Sequence, residues 1–365
     1  MAYSSGEQKL ARVILNHSLS IKPREKVLIT AANLASYPLA KEVFVEALKL
    51  GAYPLIDEAS FPGLSYQFFS LANNWQLNYI PREILKAKTE WADAYVKISS
   101  PLNSKELNQI DSKKIFARAK LTRPFADKII DSDRWLYTEY PTPSMAQDAG
   151  VSLDWLMDFY FNACLVDYNK MEKELLALEK VLDKGHLVRV VGKDTDISFS
   201  VKGRLAKACF GERNLPDGEV FSAPVTRTAE GRIYFEFSAE YFGKDVEGIY
   251  LEFKKGRVVK AKAEMGEEIL NEVLSSDAGA KSLGEFAIGA NYNIKVGMKN
   301  ALFDEKIGGT VHLALGRSYK EERGGAPSFG NDSAVHWDLV KDTRTKGSYV
   351  ELDGKKILVG GKILL

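Results

Sequence analysis

Cysteine and histidine are both scarce in this chain. Its 365 residues include two cysteines, Cys164 and Cys209, and four histidines. Two cysteines cannot staple a chain this long, and neither sits in a CxxC pair, which excludes a disulfide scaffold and a thiol-exchange motif. Both read as small buried thiols of a reducing compartment. Long apolar runs are missing too, so no membrane-spanning helix is expected. The opening MAYSSGEQKLARVILNHSLS has no basic segment feeding an apolar stretch and a cleavage site, so the expected location is the cytoplasm. Charge of one sign is absent: Lys plus Arg number 50 against 49 Asp plus Glu, which gives no support to a nucleic-acid surface. No GxGxxG follows the first strand-like run, and neither GxxxxGK[ST] nor HExxH occurs, so dinucleotide, P-loop and zincin-helix chemistry lack their residues.

What is present is ordinary globular composition, 45% hydrophobic and 27% charged, in two textures. Residues 1–185 read as an α/β region. KVLITAA, residues 26–32, predicts a strand, and Pro38 suits the first turn of a helix. That helix carries Leu39, Val43, Ala47 and Leu50 on one stripe. Gly51 ends it and AYPLID supplies a second strand, completing a parallel crossover unit. Asn33 and Ser36 read as polar caps of the helix start, with anion binding as the alternative. AYVKIS, residues 94–99, predicts another strand, and 104–120 a helix bearing Leu107, Ile110, Ile115 and Ala119. YPTPSMAQDAGVS, residues 140–152, reads as a rigid connection. Residues 154–182 are expected to be mostly helical, with Met171, Leu175, Leu178 and Leu182 facing a core, and Trp155 is a candidate domain or subunit contact.

From 186 to 365 the pattern becomes period-two alternation broken by Gly and Asp turns, the mark of antiparallel sheet. In IYLEF, Ile249, Leu251 and Phe253 share one face, and Lys255-Gly256 and Asp353-Gly354 read as hairpin turns. The expected fold is thus an α/β N-terminal domain, 1–185, joined to a mainly antiparallel, β-rich α+β domain, 186–365.

The chemistry concentrates in the second region. His17 flanks an apolar segment and His186 opens a strand, so both read as structural or surface residues. His312 sits inside TVHLALG, with Tyr319 seven residues on, and His336 and Asp338 lie two apart in HWD. Residues i and i+2 of a strand project from one face, so this imidazole and carboxylate reach one point together. Glu285 in LGEFAIG and Glu219 in LPDGEVFSAP are carboxylates in apolar, Gly-rich settings, where a lone charge demands a cation or a donor cluster. Simpler readings remain open: Glu285 pairing with Lys281, Glu219 accepting backbone amides, and His312 a satisfied core residue. Together these residues offer oxygen and nitrogen ligands suited to a two-metal hydrolytic centre of zinc, cobalt, manganese or magnesium.

NLPDGEVFSAP, SLGEFAIGANYNI, LFDEKIGGTVHLALGRSY and NDSAVHWDLV, in this order, resemble the thermophilic aminopeptidase family, the M29 metallopeptidases of the aminopeptidase T, S and PepS type. The resemblance implies a dinuclear centre on Glu219, Glu285, His312, Tyr319, His336 and Asp338, with Glu285 as the bridging carboxylate. It further implies homodimers with internal active sites, and release of single residues from peptides with a free N-terminus. Tyr319 would coordinate a metal or donate to the oxyanion, and Asp304 and Glu305 are general-base candidates. The rival readings are another dinuclear-metal amidase or hydrolase, and a non-catalytic interaction protein on the same scaffold.

Overall fold

A run of Val27, Leu28 and Ile29, all buried, suits the strand Lys26–Ala31 to an inner place in a parallel sheet, because a strand covered on both faces needs no polar alternation. The computed structural model describes residues 5–58, 63–241, 243–319 and 330–365. Residues 320–329, between the last two motifs, lie outside the described residues. The chain divides into two compact units, Met1–Leu165 with Gly211–Pro216, and Val166–Phe210 with Asp217–Leu365.

The first unit is α/β. Its sheet runs Tyr53–Glu58, Lys26–Ala31, Ala94–Ser99, Trp135–Glu139 and the short Asn214–Leu215, every pair parallel. The first crossover helix is Tyr37–Lys49, with Pro38 in its first turn and Leu39, Val43 and Ala47 buried. The helix expected at 104–120 is instead Ser112–Asp131, because Asp111 accepts from the Lys113 amide and starts the helix there, while 104–109 form turns. The connection 140–152 contains a short helix, Pro143–Asp148, whose N-cap is Thr142. Among the described residues no helix is long and apolar enough to cross a membrane.

The expected helix over 154–182 is two, Leu153–Cys164 and Tyr168–Leu182, and the break between them is where the units divide. The second helix, N-terminal to the division expected at residue 185, packs with the second unit, where Leu175, Leu178 and Leu182 share a core with Ala208 and Val220. That unit holds an eight-stranded antiparallel sheet from Arg257–Lys262 to Lys362–Ile363. Its hairpins at Lys255-Gly256 and Asp353-Gly354 have positive φ at both central residues, the geometry that matches strand twist. A five-stranded antiparallel sheet follows the order His336–Lys341, Val311–Gly316, Leu283–Gly289, Glu219–Ser222, Ala206–Cys209. Phe199 of the larger sheet meets Phe286 of the smaller edge to face, ring centroids 5.3 Å apart, within one continuous core.

Candidate metal centre

Alternation along four strands of the smaller sheet sorts its side chains. Val220, Phe286, Ile288, Val311, Leu313, Trp337 and Leu339 join the core, so Glu219, Glu285, His312, His336 and Asp338 project from the opposite face. Small residues stand between them: Ala314 is flanked by Glu285 on one side and Asp338 on the other, and His312 pairs with Ala287. Gly289 lies opposite Glu219 and Gly316 opposite His336, which leaves room above the sheet for the longer side chains.

Leu283 and Glu285 would share a face under strict alternation, yet one is core and the other faces the cluster. A bulge between them resolves this. Gly284 supplies it: an added Cβ would stand 2.4 Å from the Gly316 carbonyl oxygen and 2.3 Å from that of Arg317.

The polar atoms converge. His312 Nε2 is 3.1 Å from Glu285 Oε1, 3.5 Å from Glu219 Oε2 and 3.9 Å from Asp338 Oδ1. His336 Nε2 is 3.3 Å from Asp338 Oδ2 and 3.9 Å from Glu285 Oε2. Its Nδ1 lies 2.9 Å from the Arg317 carbonyl and donates to it, so in the neutral ring Nε2 carries the lone pair that faces the cluster. Two groups can each hold a cation, Glu219–Glu285–His312 and Glu285–His336–Asp338, with ligand atoms of each within 4.8 Å of one another; Glu285 belongs to both.

Electrostatics show what such a cation would replace. Burial raises the Glu285 carboxyl above its ordinary range against the pull of His312. Burial works to lower the His312 imidazole, but its Glu285 hydrogen bond and the charges of Glu219 and Asp338 push it up to about 9. His336 is likewise driven up to about 10, by Asp338 acting against burial. Asp338 itself, despite burial, is held well below the usual carboxylate range by His336 and His312. Protons on the two imidazoles thus balance the carboxylates when nothing else does. Even so, Glu219 Oε2, Glu285 Oε2, Asp338 Oδ1 and His312 Nδ1 are buried without a hydrogen-bond partner. Three orphaned carboxylate oxygens in one recess fit a cation-binding donor set.

Lys281 is not the partner of Glu285, and Glu219 is held by a side chain the sequence reading passed over. Lys306, buried, places its Nζ 2.8 Å from Glu219 Oε1 and 2.8 Å from Glu305 Oε2. The signal was a lysine directly after the carboxylate pair in DEKIGG. Burial, opposed by Lys306 and helped by the Asp338 charge, pushes the Glu305 carboxyl up to about 8. Asp304, a general-base candidate from sequence, is spent on structure: its carboxylate accepts from the Met298 and Asn300 amides at 2.6 and 3.2 Å. The Tyr319 ring stands edge-on to His336 at 5.1 Å and meets Phe221 at 5.5 Å. Although the residue is 45% exposed, burial and the surrounding carboxylates, Glu285 foremost, raise its phenol well above the ordinary value. His186 is exposed, and His17 lies in the first unit.

Comparison with known proteins points to a metal-dependent family. A family model described as thermophilic metalloprotease (M29) matches residues 4–362. Aminopeptidase T of Thermus thermophilus is 36% identical over 175 residues, covering 42% of this chain and 42% of that protein. Aminopeptidase 2 of Geobacillus stearothermophilus is 26% identical over 397 aligned positions, covering 95% of this chain and 94% of that one. Among solved structures, AmpT from Thermus thermophilus gives a TM-score of 0.85 at 22% identity, covering 99% of both chains. A 2,5-dihydroxypyridine dioxygenase from Pseudomonas putida KT2440 gives 0.62 at 15% identity, covering 99% of this chain and 98% of that one. Likeness at such identity speaks for fold alone, and the second neighbour shows that the fold does not choose the reaction. The family model spans nearly the whole chain, and the chain belongs to the thermophilic metalloprotease (M29) family.

Proposed function

We propose that this protein is an aminopeptidase that releases the N-terminal residue of peptides at a centre of two divalent cations. The observation that carries the reading is the pair of three-ligand groups sharing Glu285 on one sheet face. Glu219, Glu285 and His312 would hold one cation, and Glu285, His336 and Asp338 the other. Bound there, the cations lower the pKa of a water molecule and polarise the scissile carbonyl. The chain's own groups do the rest. The Tyr319 phenol, with its raised pKa, stays protonated at neutral pH and is a hydrogen-bond donor for the developing oxyanion. Glu305 feels the Asp338 charge yet belongs to neither ligand group, which suits it to carry a proton from water to the leaving amine. A free N-terminal amine would bind at this centre, to a cation or to an acidic side chain, which would confine cleavage to the first bond. Zinc, cobalt, manganese or magnesium all suit this donor set. Work as a homodimer in the cytoplasm is part of the same reading, resting on the family resemblance and on two cysteines that are both free.

The test compares a dipeptide bearing a free amine with its N-acetylated form, before and after a chelator. Hydrolysis of the free form alone, lost on chelation and restored by cobalt or zinc, is expected. Equal rates on both forms would replace the aminopeptidase with a general metal-dependent amidase. A dioxygenase is not favoured, because the family model and the relative aligned over 95% of the chain both name peptidases.

A further inference from the structure

The two ligand groups are alike in composition, each one histidine and two carboxylates, but a built-in cation touches only one. Lys306 Nζ sits 2.8 Å from Glu219 Oε1, while neither His336 nor Asp338 has a lysine or arginine salt-bridge partner among the described residues. The ammonium group cannot swing away. Lys306 is buried and its Nζ also binds Glu305 at 2.8 Å. Its backbone is pinned on both sides, the Asn291 amide donating to the Lys306 carbonyl at 3.0 Å and the Lys306 amide to the Phe303 carbonyl at 3.1 Å. Glu219 therefore offers one free oxygen, Oε2, and half its charge is already engaged.

We propose that Lys306 makes the centre unequal, reserving the Glu285–His336–Asp338 half for the first divalent cation and leaving the Glu219–Glu285–His312 half for the second. The inference rests on the two-metal reading above. A fixed positive charge next to Glu219 repels a cation arriving there and competes for its carboxylate, in a buried setting where screening is weak. Two cations repel each other in any shared centre, so stepwise loading alone decides nothing. The response of the two steps to Lys306 does. The lysine is then a positioning residue that sets the loading order.

The experiment is a stepwise cobalt titration of the chelator-stripped chain, followed by calorimetry and cobalt absorption. Two steps are expected. Asp338→Asn should remove the tighter step and Glu219→Gln the weaker. Lys306→Met should narrow the gap between steps by about tenfold or more, whereas Lys306→Arg, which keeps the charge, should preserve it. Should Lys306→Met fail to fold, Lys306→Gln serves instead: it removes the same charge, keeps a hydrogen-bond donor for Glu219, and should narrow the gap likewise. Loss of the tighter step in Glu219→Gln, or a gap that does not respond to removal of the Lys306 charge, overturns the inference while leaving a two-metal centre intact. Fewer than two bound ions in the unaltered chain overturns both.

Discussion

The described residues form two five-stranded sheets, and these treat their polar groups in opposite ways. In the parallel sheet of the first unit, Val27, Leu28, Ile29, Val96, Ile98 and Leu136 are all buried, and the polar groups at the strand ends satisfy one another. Asn33 Nδ2 donates to the Ser100 carbonyl at 2.7 Å, and the Ser100 hydroxyl donates to Asn33 Oδ1 at 3.1 Å. The antiparallel sheet of the second unit puts one face into the core and leaves three carboxylate oxygens on the other face buried and unpaired. Unpaired buried carboxylates are expensive, so a fold that holds several in one place is suited to bind a cation, whereas a closed hydrogen-bond circuit implies only packing. Both sheets carry buried polar residues. Only the unsatisfied ones point to chemistry.

The strongest way to break this contrast is Glu285→Gln, which keeps size and removes the charge common to both ligand groups. Metal content after dialysis should fall below that of either single-group variant. Peptide turnover should drop more than about a thousandfold, roughly 4 kcal/mol of barrier. Near-normal turnover at limiting metal would make Glu285 a structural carboxylate no different in kind from Asn33. Next in size is Tyr319→Phe, which retains the ring against Phe221 and His336 and deletes the hydroxyl. A well-placed oxyanion donor is worth about 3 kcal/mol, roughly a hundredfold in rate, at full metal occupancy. Recovery of activity on adding excess metal would instead identify the hydroxyl as a ligand.

Much of this was legible in the sequence. HWD lies in a strand with both side chains on one face because period-two geometry leaves no other choice, and IYLEF, the Lys255-Gly256 turn and the first crossover follow from equally local rules. The convergence of Glu219, Glu285, His312 and the HWD pair came from resemblance, since no local rule brings together residues over a hundred positions apart. Three things were not legible. The bulge that turns Glu285 toward the cluster depends on the Gly316 and Arg317 carbonyls pressing on Gly284, a tertiary contact. Lys306 went unread because nothing in DEKIGG says that its ammonium is buried between Glu219 and Glu305. The helix start at Ser112 was misplaced because Leu107 and Ile110 continued the apolar spacing backward, while the Asp111 cap decided the boundary.

The bulge provides a sharper, smaller test. Gly284→Ala places a methyl group against two backbone oxygens that cannot step aside as a side chain would. The expected loss is about 2 kcal/mol of stability, read by denaturant unfolding, together with weaker metal binding because Glu285 is re-aimed. Unchanged metal affinity in the folded fraction would show that the bulge serves the strand and not the centre.

Asn33→Ala applies the same logic to the other sheet, with the smallest effect. Asn33 accepts from the Ala35 amide at 2.8 Å, so the variant loses the cap of the turn that leads into the helix Tyr37–Lys49. It also strips partners from the hydroxyl and carbonyl of Ser100, a residue with no exposed surface. Loss of a cap of this kind costs about 1 kcal/mol, and the stranded Ser100 groups make the upper part of that range the expectation. The loss should appear in the unfolding midpoint and nowhere else: turnover per folded molecule and metal content should match the unaltered chain. A fall in turnover at full metal occupancy would mean that the end of the parallel sheet takes part in the reaction. The closed Asn33–Ser100 circuit would then be a site at rest, and orphaned oxygens would no longer suffice to tell chemistry from packing in this molecule.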